Sequence, residues 1–151
     1  MNEFFDNKIL LAAAVAWLMA QIVKVPLEYL RTREWNWALL LSTGGLPSSH
    51  SALVSAMTHG VGLYTGFDSA IFAVAFVLTA VVVYDATGIR RQAGLHAELI
   101  NAIVNDLTTG HPIKESQQKE LKEILGHTPL EALMGIIWGV AFATGFWWWM
   151  N

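Results

Sequence analysis

The stretch Leu130–Met150, LEALMGIIWGVAFATGFWWWM, decides the fold class. It carries one charge, Glu131, near its start, and it reaches the ~20 mostly apolar residues that a bilayer crossing requires. Its closing tryptophans, Trp147, Trp148 and Trp149, read as an interfacial belt. Three further apolar blocks accompany it. Ile9–Ala20 is uncharged and continues through Gln21, Ile22 and Val23 to Lys24; Ser69–Tyr84 is uncharged and followed by Asp85; Ser51–Phe67 is apolar but contains His59 and several glycines. With 151 residues, 54% of them hydrophobic and 14% charged, the chain reads as one membrane domain over 1–151 with a polar connecting segment at 91–126. The expected fold is an all-α polytopic membrane helical bundle with four to five membrane-embedded helices and an amphipathic surface segment.

The first helix is expected from Lys8 to about Leu30, followed by a polar elbow (Arg31, Thr32, Arg33, Glu34) and a short apolar piece, Trp35–Leu41. Ser42-Thr43-Gly44-Gly45-Leu46-Pro47 then breaks the chain, and a helix runs from about Ser48 to Tyr64. Thr65–Asp68 turns into a helix ending near Tyr84. Beyond it Leu95, Leu99, Ile103 and Leu107 recur at helical spacing, which predicts an amphipathic helix on the membrane surface. Gly110-His111-Pro112 stops it, Glu115–Leu125 makes a second, charged helix, and the last helix starts at Thr128. The N-terminal block is not expected to be a cleaved signal peptide: its leader is acidic (Glu3, Asp6), and Lys24 and Pro26 stand where small residues would be needed. The absence of cysteine removes thiolate chemistry, and a net charge of -3 gives no reason to expect a nucleic-acid partner.

Chemistry concentrates in four places. Leu46-Pro47-Ser48-Ser49-His50-Ser51-Ala52 combines hydroxyls, a helix N-terminus and an imidazole; such N–H groups bind anions and the imidazole can protonate a leaving oxygen. The plainer alternative is that Ser48 or Ser49 simply caps the helix. Lys24 and Arg31 lie two turns apart on one face, as a pair of ligands for an anion or as snorkelling cations. Tyr84–Arg91 ends an apolar helix with Asp85, Arg90 and Arg91; paired guanidiniums match phosphoryl oxygens, although a local ion pair with Asp85 is the simpler reading. Finally, Thr128 and Glu131 form a capping box with Pro129 at the first helical position. That leaves His127 unexplained. A histidine four residues before a carboxylate can be oriented by it and attack phosphorus with its other nitrogen.

Sidedness depends on Trp35–Leu41. If that piece dips in and returns, Lys24, Arg31, His50, Arg90, Arg91 and His127 emerge on one face, which the positive-inside rule makes cytoplasmic, with both termini outside. If it crosses the membrane, His50 is separated from the rest. Elsewhere, His59 and His111 look structural, and no metal-ligand spacing occurs, so no metal and no cofactor are expected. Gly135, Gly139 and Gly145 allow close helix packing, between subunits of a homodimer in one reading.

Together the pieces resemble the type 2 phosphatidic acid phosphatase and vanadium haloperoxidase superfamily, whose motifs read K-x6-R-P, P-S-G-H and S-R-x5-H-x3-D. Lys24 and Arg31 match the first, with Thr32 in place of proline. Pro47-Ser48-Ser49-His50 matches the second, with Ser49 in place of glycine. His127 and Glu131 match the end of the third, with Glu131 in place of aspartate and Leu121 at its arginine position. Arg90 also stands six residues before His96, but Ile100 then takes the acid position, so the His127 frame is preferred, with Arg90 or Arg91 supplied from the earlier loop. The resemblance covers nearly the whole chain and is nearest to the divergent branch of small bacterial and plant membrane proteins.

The resemblance implies a metal-independent lipid-phosphate phosphatase, hydrolysing a phosphomonoester or diphosphate through a phosphohistidine, in the bacterial inner (plasma) membrane. It makes His127 the nucleophile, Glu131 its orienting group and His50 the general acid. Lys24, Arg31, Ser48, Ser49, Arg90 and Arg91 bind phosphate, with Asp85 in support. The expected partners are membrane lipids and a lipid-phosphate substrate. Two alternatives stand beside it: a catalytically degenerate membrane protein that binds a lipid phosphate or serves as a small transport or scaffold component, and a vanadate-dependent peroxidase.

Overall fold

The computed structural model describes residues 6–42, 44–108 and 127–151. They form helices α1 (Lys8–Thr32), α2 (Ser49–Thr65), α3 (Ala70–Thr87), α4 (Ile89–Thr108) and α5 (Pro129–Met150), with a short 3₁₀ helix at Trp37–Leu41. The protein is an all-α membrane bundle. Three stretches are long and apolar enough to cross a bilayer: Lys8–Thr32, Ala70–Asn101 and Pro129–Met150. The expected stop at Gly110-His111-Pro112 and the charged helix at Glu115–Leu125 lie outside the described residues.

Local chemistry sets the helix ends. The Asn7 side chain accepts the Leu10 N–H at the start of α1, and Arg33 closes it in a left-handed conformation (φ 64°). Ser48 caps α2 by accepting the Ser51 N–H, and Ser69 caps α3 by accepting that of Phe72. Thr128 and Glu131 make the complete capping box at α5, with Pro129 in the first turn. Each cap satisfies donors that the helix itself leaves without partners. The amphipathic segment is α4, which follows α3 after Gly88 alone.

The shortest of the four bundle helices lies at the centre. α2 has 17 residues and touches α1, α3 and α5. Enclosed by three neighbours, it is built from small side chains: Ser49, Ser51, Ala52, Ser55, Ala56, Thr58, Gly60 and Gly62 are all buried. Its partners answer in kind, with Ala12, Ala13, Ala16 and Ala20 of α1 and Ala143 of α5 buried. Large apolar side chains point the other way. Val74, Phe76, Val77 and Val81 of α3 are exposed, as lipid contact requires.

The glycine stripe of α5 faces inward. A Cβ at Gly135 would run into the Ser48 carbonyl, and one at Gly139 into that of Ala52, so both glycines serve packing within the chain. Among the described residues, Gly145 has nothing within 4 Å of such a Cβ.

Hydrogen bonds between helices supplement this packing. Thr58 Oγ1 donates to Ala75 O (3.0 Å), Thr79 Oγ1 donates to Val54 O (3.0 Å), and the two hydroxyls stand 2.7 Å apart, joining α2 to α3. Trp138 Nε1 donates to Ala16 O (3.2 Å), and His59 Nε2 pairs with Thr144 Oγ1 (2.9 Å). His59 thus faces α5 as a satisfied, half-buried histidine. Thr79→Val keeps the shape but removes a donor, and is expected to cost about 0.5–2 kcal/mol, read as a lower thermal midpoint in detergent.

The two bundle ends differ in character. Lys8 Nζ donates to Met150 O (3.4 Å), so the start of α1 and the end of α5 share one end. At the other end, the His127 N–H donates to Ala86 O (2.9 Å) and the Ser48 N–H to Glu131 O (3.0 Å), tying together the end of α3 and the starts of α2 and α5.

Candidate functional site

The piece between α1 and α2 turns back rather than crossing. Gln21 of α1 donates through Nε2 to the carbonyls of Leu40 (2.8 Å) and Ser42 (3.0 Å), with Leu39 at 3.4 Å, which lays the 3₁₀ helix along α1. The chain then bends through Gly45, whose φ of +90° suits glycine, and enters α2 at the level of Lys24. His50 is thereby kept on the same end as His127.

Lys24 is enclosed. It is 1% exposed, and its Nζ stands 3.4 Å from both Ser42 O and Ser49 Oγ. An ammonium held in an apolar bundle costs free energy unless it meets polar partners, and these two contacts are long. Such a cation is suited to an anion that completes its hydrogen bonds.

The two serines divide their tasks. Ser48 Oγ accepts from the Ser51 N–H (3.3 Å) and the Ser51 hydroxyl (3.0 Å), so its oxygen is committed to the cap. Ser49, where the superfamily motif has glycine, supplies the hydroxyl that meets Lys24.

His127 is 3% exposed, with Nδ1 at 3.3 Å from Glu131 Oε2. The same carboxylate oxygen accepts the Thr128 N–H (2.9 Å), so one side chain completes the capping box and fixes the imidazole. His127 Nε2 is buried and has no hydrogen-bond partner among the described residues. Buried polar atoms are rarely left so. The His50 ring lies 6.2 Å from that of His127, centroid to centroid.

The remaining expected residues stand differently. Arg31 is exposed in the last turn of α1, two turns beyond Lys24, and no hydrogen bond or ion pair joins it to the cluster among the described residues. Asp85 is half-buried one residue before Ala86, the residue that holds His127. Arg90 and Arg91 occupy the first turn of α4, while their side chains and Leu121 lie outside the described residues. His96, the alternative third-motif histidine, is exposed and lines an open cavity of about 540 Å³ with Tyr84, Gly88, Gln92 and Ala93. Among the described residues no group of three or more His, Asp or Glu side chains could hold a metal.

The model of the divergent PAP2 family matches residues 5–142, which contain every residue of the cluster. The chain belongs to the divergent PAP2 family. Within reach of that family, it is 40% identical over 146 residues to the uncharacterized membrane protein YuiD of Bacillus subtilis (strain 168), covering 91% of this chain and 92% of the relative. No solved structure matches. This divergent PAP2 protein is therefore an integral membrane protein in which Lys24, Ser49, His50, His127 and Glu131 gather at one end of the bundle.

Sequence reasoning missed Gln21, Ser42 and Gly45. Gln21 had one signal, an amide in an otherwise apolar block one turn before Lys24. Ser42 acts through its backbone, which leaves no trace in residue type.

Proposed function

We propose that this protein is a membrane lipid-phosphate phosphatase that works through a phosphohistidine without a metal. The observation that carries the reading is His127: buried, bonded through Nδ1 to Glu131, with Nε2 lacking a partner among the described residues. In the proposed reaction Nε2 attacks phosphorus, the bond from phosphorus to the lipid oxygen breaks, and His50 protonates that oxygen. Water then attacks the phosphohistidine, gives its proton to His50, and inorganic phosphate leaves. Lys24 and Ser49 hold the equatorial oxygens, Arg90 or Arg91 assists from the start of α4, and Ser48 acts through the cap it makes. Fixed positive charge aimed at the transferring group is the main catalytic contribution at such a site.

Depth favours a lipid over a soluble ester. Tyr29, Trp35 and Trp37 stack at 4.3 and 5.5 Å, and both tryptophans are exposed, as an interfacial aromatic belt would be. At about 1.5 Å per residue, Lys24 lies about 8 Å short of Tyr29 along α1, on the bilayer side of that belt. A phosphate on a membrane-anchored substrate reaches that depth readily. We place the protein in the bacterial inner membrane with the site toward the cytoplasm.

A second reading, a lipid-phosphate binder without turnover, is favoured by Arg31, which stands exposed and apart from Lys24. Phosphate release from phosphatidic acid, phosphatidylglycerol phosphate and undecaprenyl diphosphate by detergent-purified protein, with EDTA present, separates the two. Release supports the enzyme; binding of phosphate without release supports the binder.

Glu131→Gln gives a finer test. The amide oxygen can still accept the Thr128 N–H, so the cap survives, while the negative charge that stabilises a developing imidazolium is lost. Turnover is expected to fall by about 100-fold or more with the thermal midpoint nearly unchanged.

A further inference from the structure

Gln21 is a buried amide in the α1 face that carries Lys24, at 8% exposure. Its orientation is fixed: Nε2 points at three carbonyl oxygens, those of Leu39, Leu40 and Ser42, so a flipped amide would set oxygen against oxygen. Its Oε1 has no partner among the described residues. An amide left half satisfied inside an apolar bundle is a net burden on stability compared with an apolar side chain of the same size. Packing therefore does not account for it. What it accomplishes is to hold the returning segment, and one of the carbonyls it holds is shared: Ser42 O stands 3.0 Å from Gln21 Nε2 and 3.4 Å from Lys24 Nζ. The same segment leads through Gly45, where a Cβ would lie 3.7 Å from the Lys24 side chain, to Ser49, the second contact of the ammonium.

We infer that Gln21 is a positioning residue of the phosphate site, which sets the place of the Lys24 ammonium by pinning the Ser42 carbonyl and the segment that closes over it. This rests on the proposed phosphate-handling role of Lys24. Without the amide, the carbonyls of Leu39, Leu40 and Ser42 lose their common donor, the returning segment moves off α1, and Lys24 no longer stands at a fixed distance from Ser49.

The test is orthovanadate binding by detergent-purified full-length protein, measured calorimetrically for wild type, Gln21→Met, Lys24→Met and the double variant. Gln21→Met preserves volume; Gln21→Asn, which keeps the amide but shortens its reach, serves if the methionine variant does not fold. The expected result is at least tenfold weaker binding for either Gln21 variant, a larger loss for Lys24→Met, and no further loss when Gln21→Met is added to Lys24→Met. Full rank-order additivity, or wild-type binding by a folded Gln21 variant, would overturn the positioning role alone. Wild-type protein that binds no orthovanadate would overturn the phosphate site and the positioning role with it.

Discussion

His127→Ala is expected to abolish phosphate release, by about 10⁴-fold or more, in protein that remains folded. The two halves of this expectation come from different atoms. The fold uses the backbone of residue 127, whose N–H donates to Ala86 O, and alanine keeps that bond. The capping box of α5 uses Thr128 and Glu131, and it too survives. What alanine removes is the imidazole: one bond to Glu131 and the Nε2, which has no partner among the described residues. Loss of a nucleophile leaves only the contribution of binding and fixed charge, so the remaining rate should be close to background. The check is phosphate release on the lipid phosphates above, with the thermal midpoint taken on the same preparation.

Gly139→Leu has the largest expected effect on stability. α2 and α5 approach each other at backbone distance along this stripe. A Cβ at Gly139 would strike the Ala52 carbonyl and lie 2.9 Å from Ala56 N, both of them main-chain atoms of a helix enclosed on three sides. No rotamer change relieves that contact, so the helices must separate. The buried alanines Ala52, Ala56 and Ala143 then lose the contacts that replace hydrophobic drive in a membrane. Overpacking of a tight core costs about 1–3 kcal/mol, and a clash with backbone lies at or above the top of that range. Little folded protein should be recovered in detergent. Gly145→Ala is the matched control: nothing among the described residues stands within 4 Å of its Cβ, and alanine favours the helix by up to about 1 kcal/mol, so its midpoint should hold or rise.

Elements were legible in the sequence where their causes are local. Thr128-Pro129-Leu130-Glu131 specifies its own capping box, and Ser48 specifies the start of α2, because caps need only residues three positions apart. The site was legible in parts for the same reason. Apart from Lys24, which lies within α1, its residues stand at element ends, and the turning back of Trp35–Leu41, on which their meeting depends, is one of two readings the sequence leaves open. The central place of α2 was not legible. Its apolar run is like the others, and only its small side chains mark it as enclosed by three helices. The glycines of α5 illustrate the limit: a stripe of small residues predicts close approach but not to which surface, and Gly135 and Gly139 meet α2 rather than another subunit. Likewise, the spacing of Lys24 and Arg31 puts both on one helical face, yet the returning segment covers only the first of them.

The central claim is that His127 carries the phosphoryl group. The most direct measurement is to incubate the purified protein with a lipid phosphate labelled in its phosphate, quench in base, and locate any base-stable, acid-labile label by peptide mapping. The account predicts label on His127, absent from His127→Ala and retained in Glu131→Gln at a slower rate of appearance. Phosphate release with no label on His127, or label that persists in His127→Ala, would contradict it.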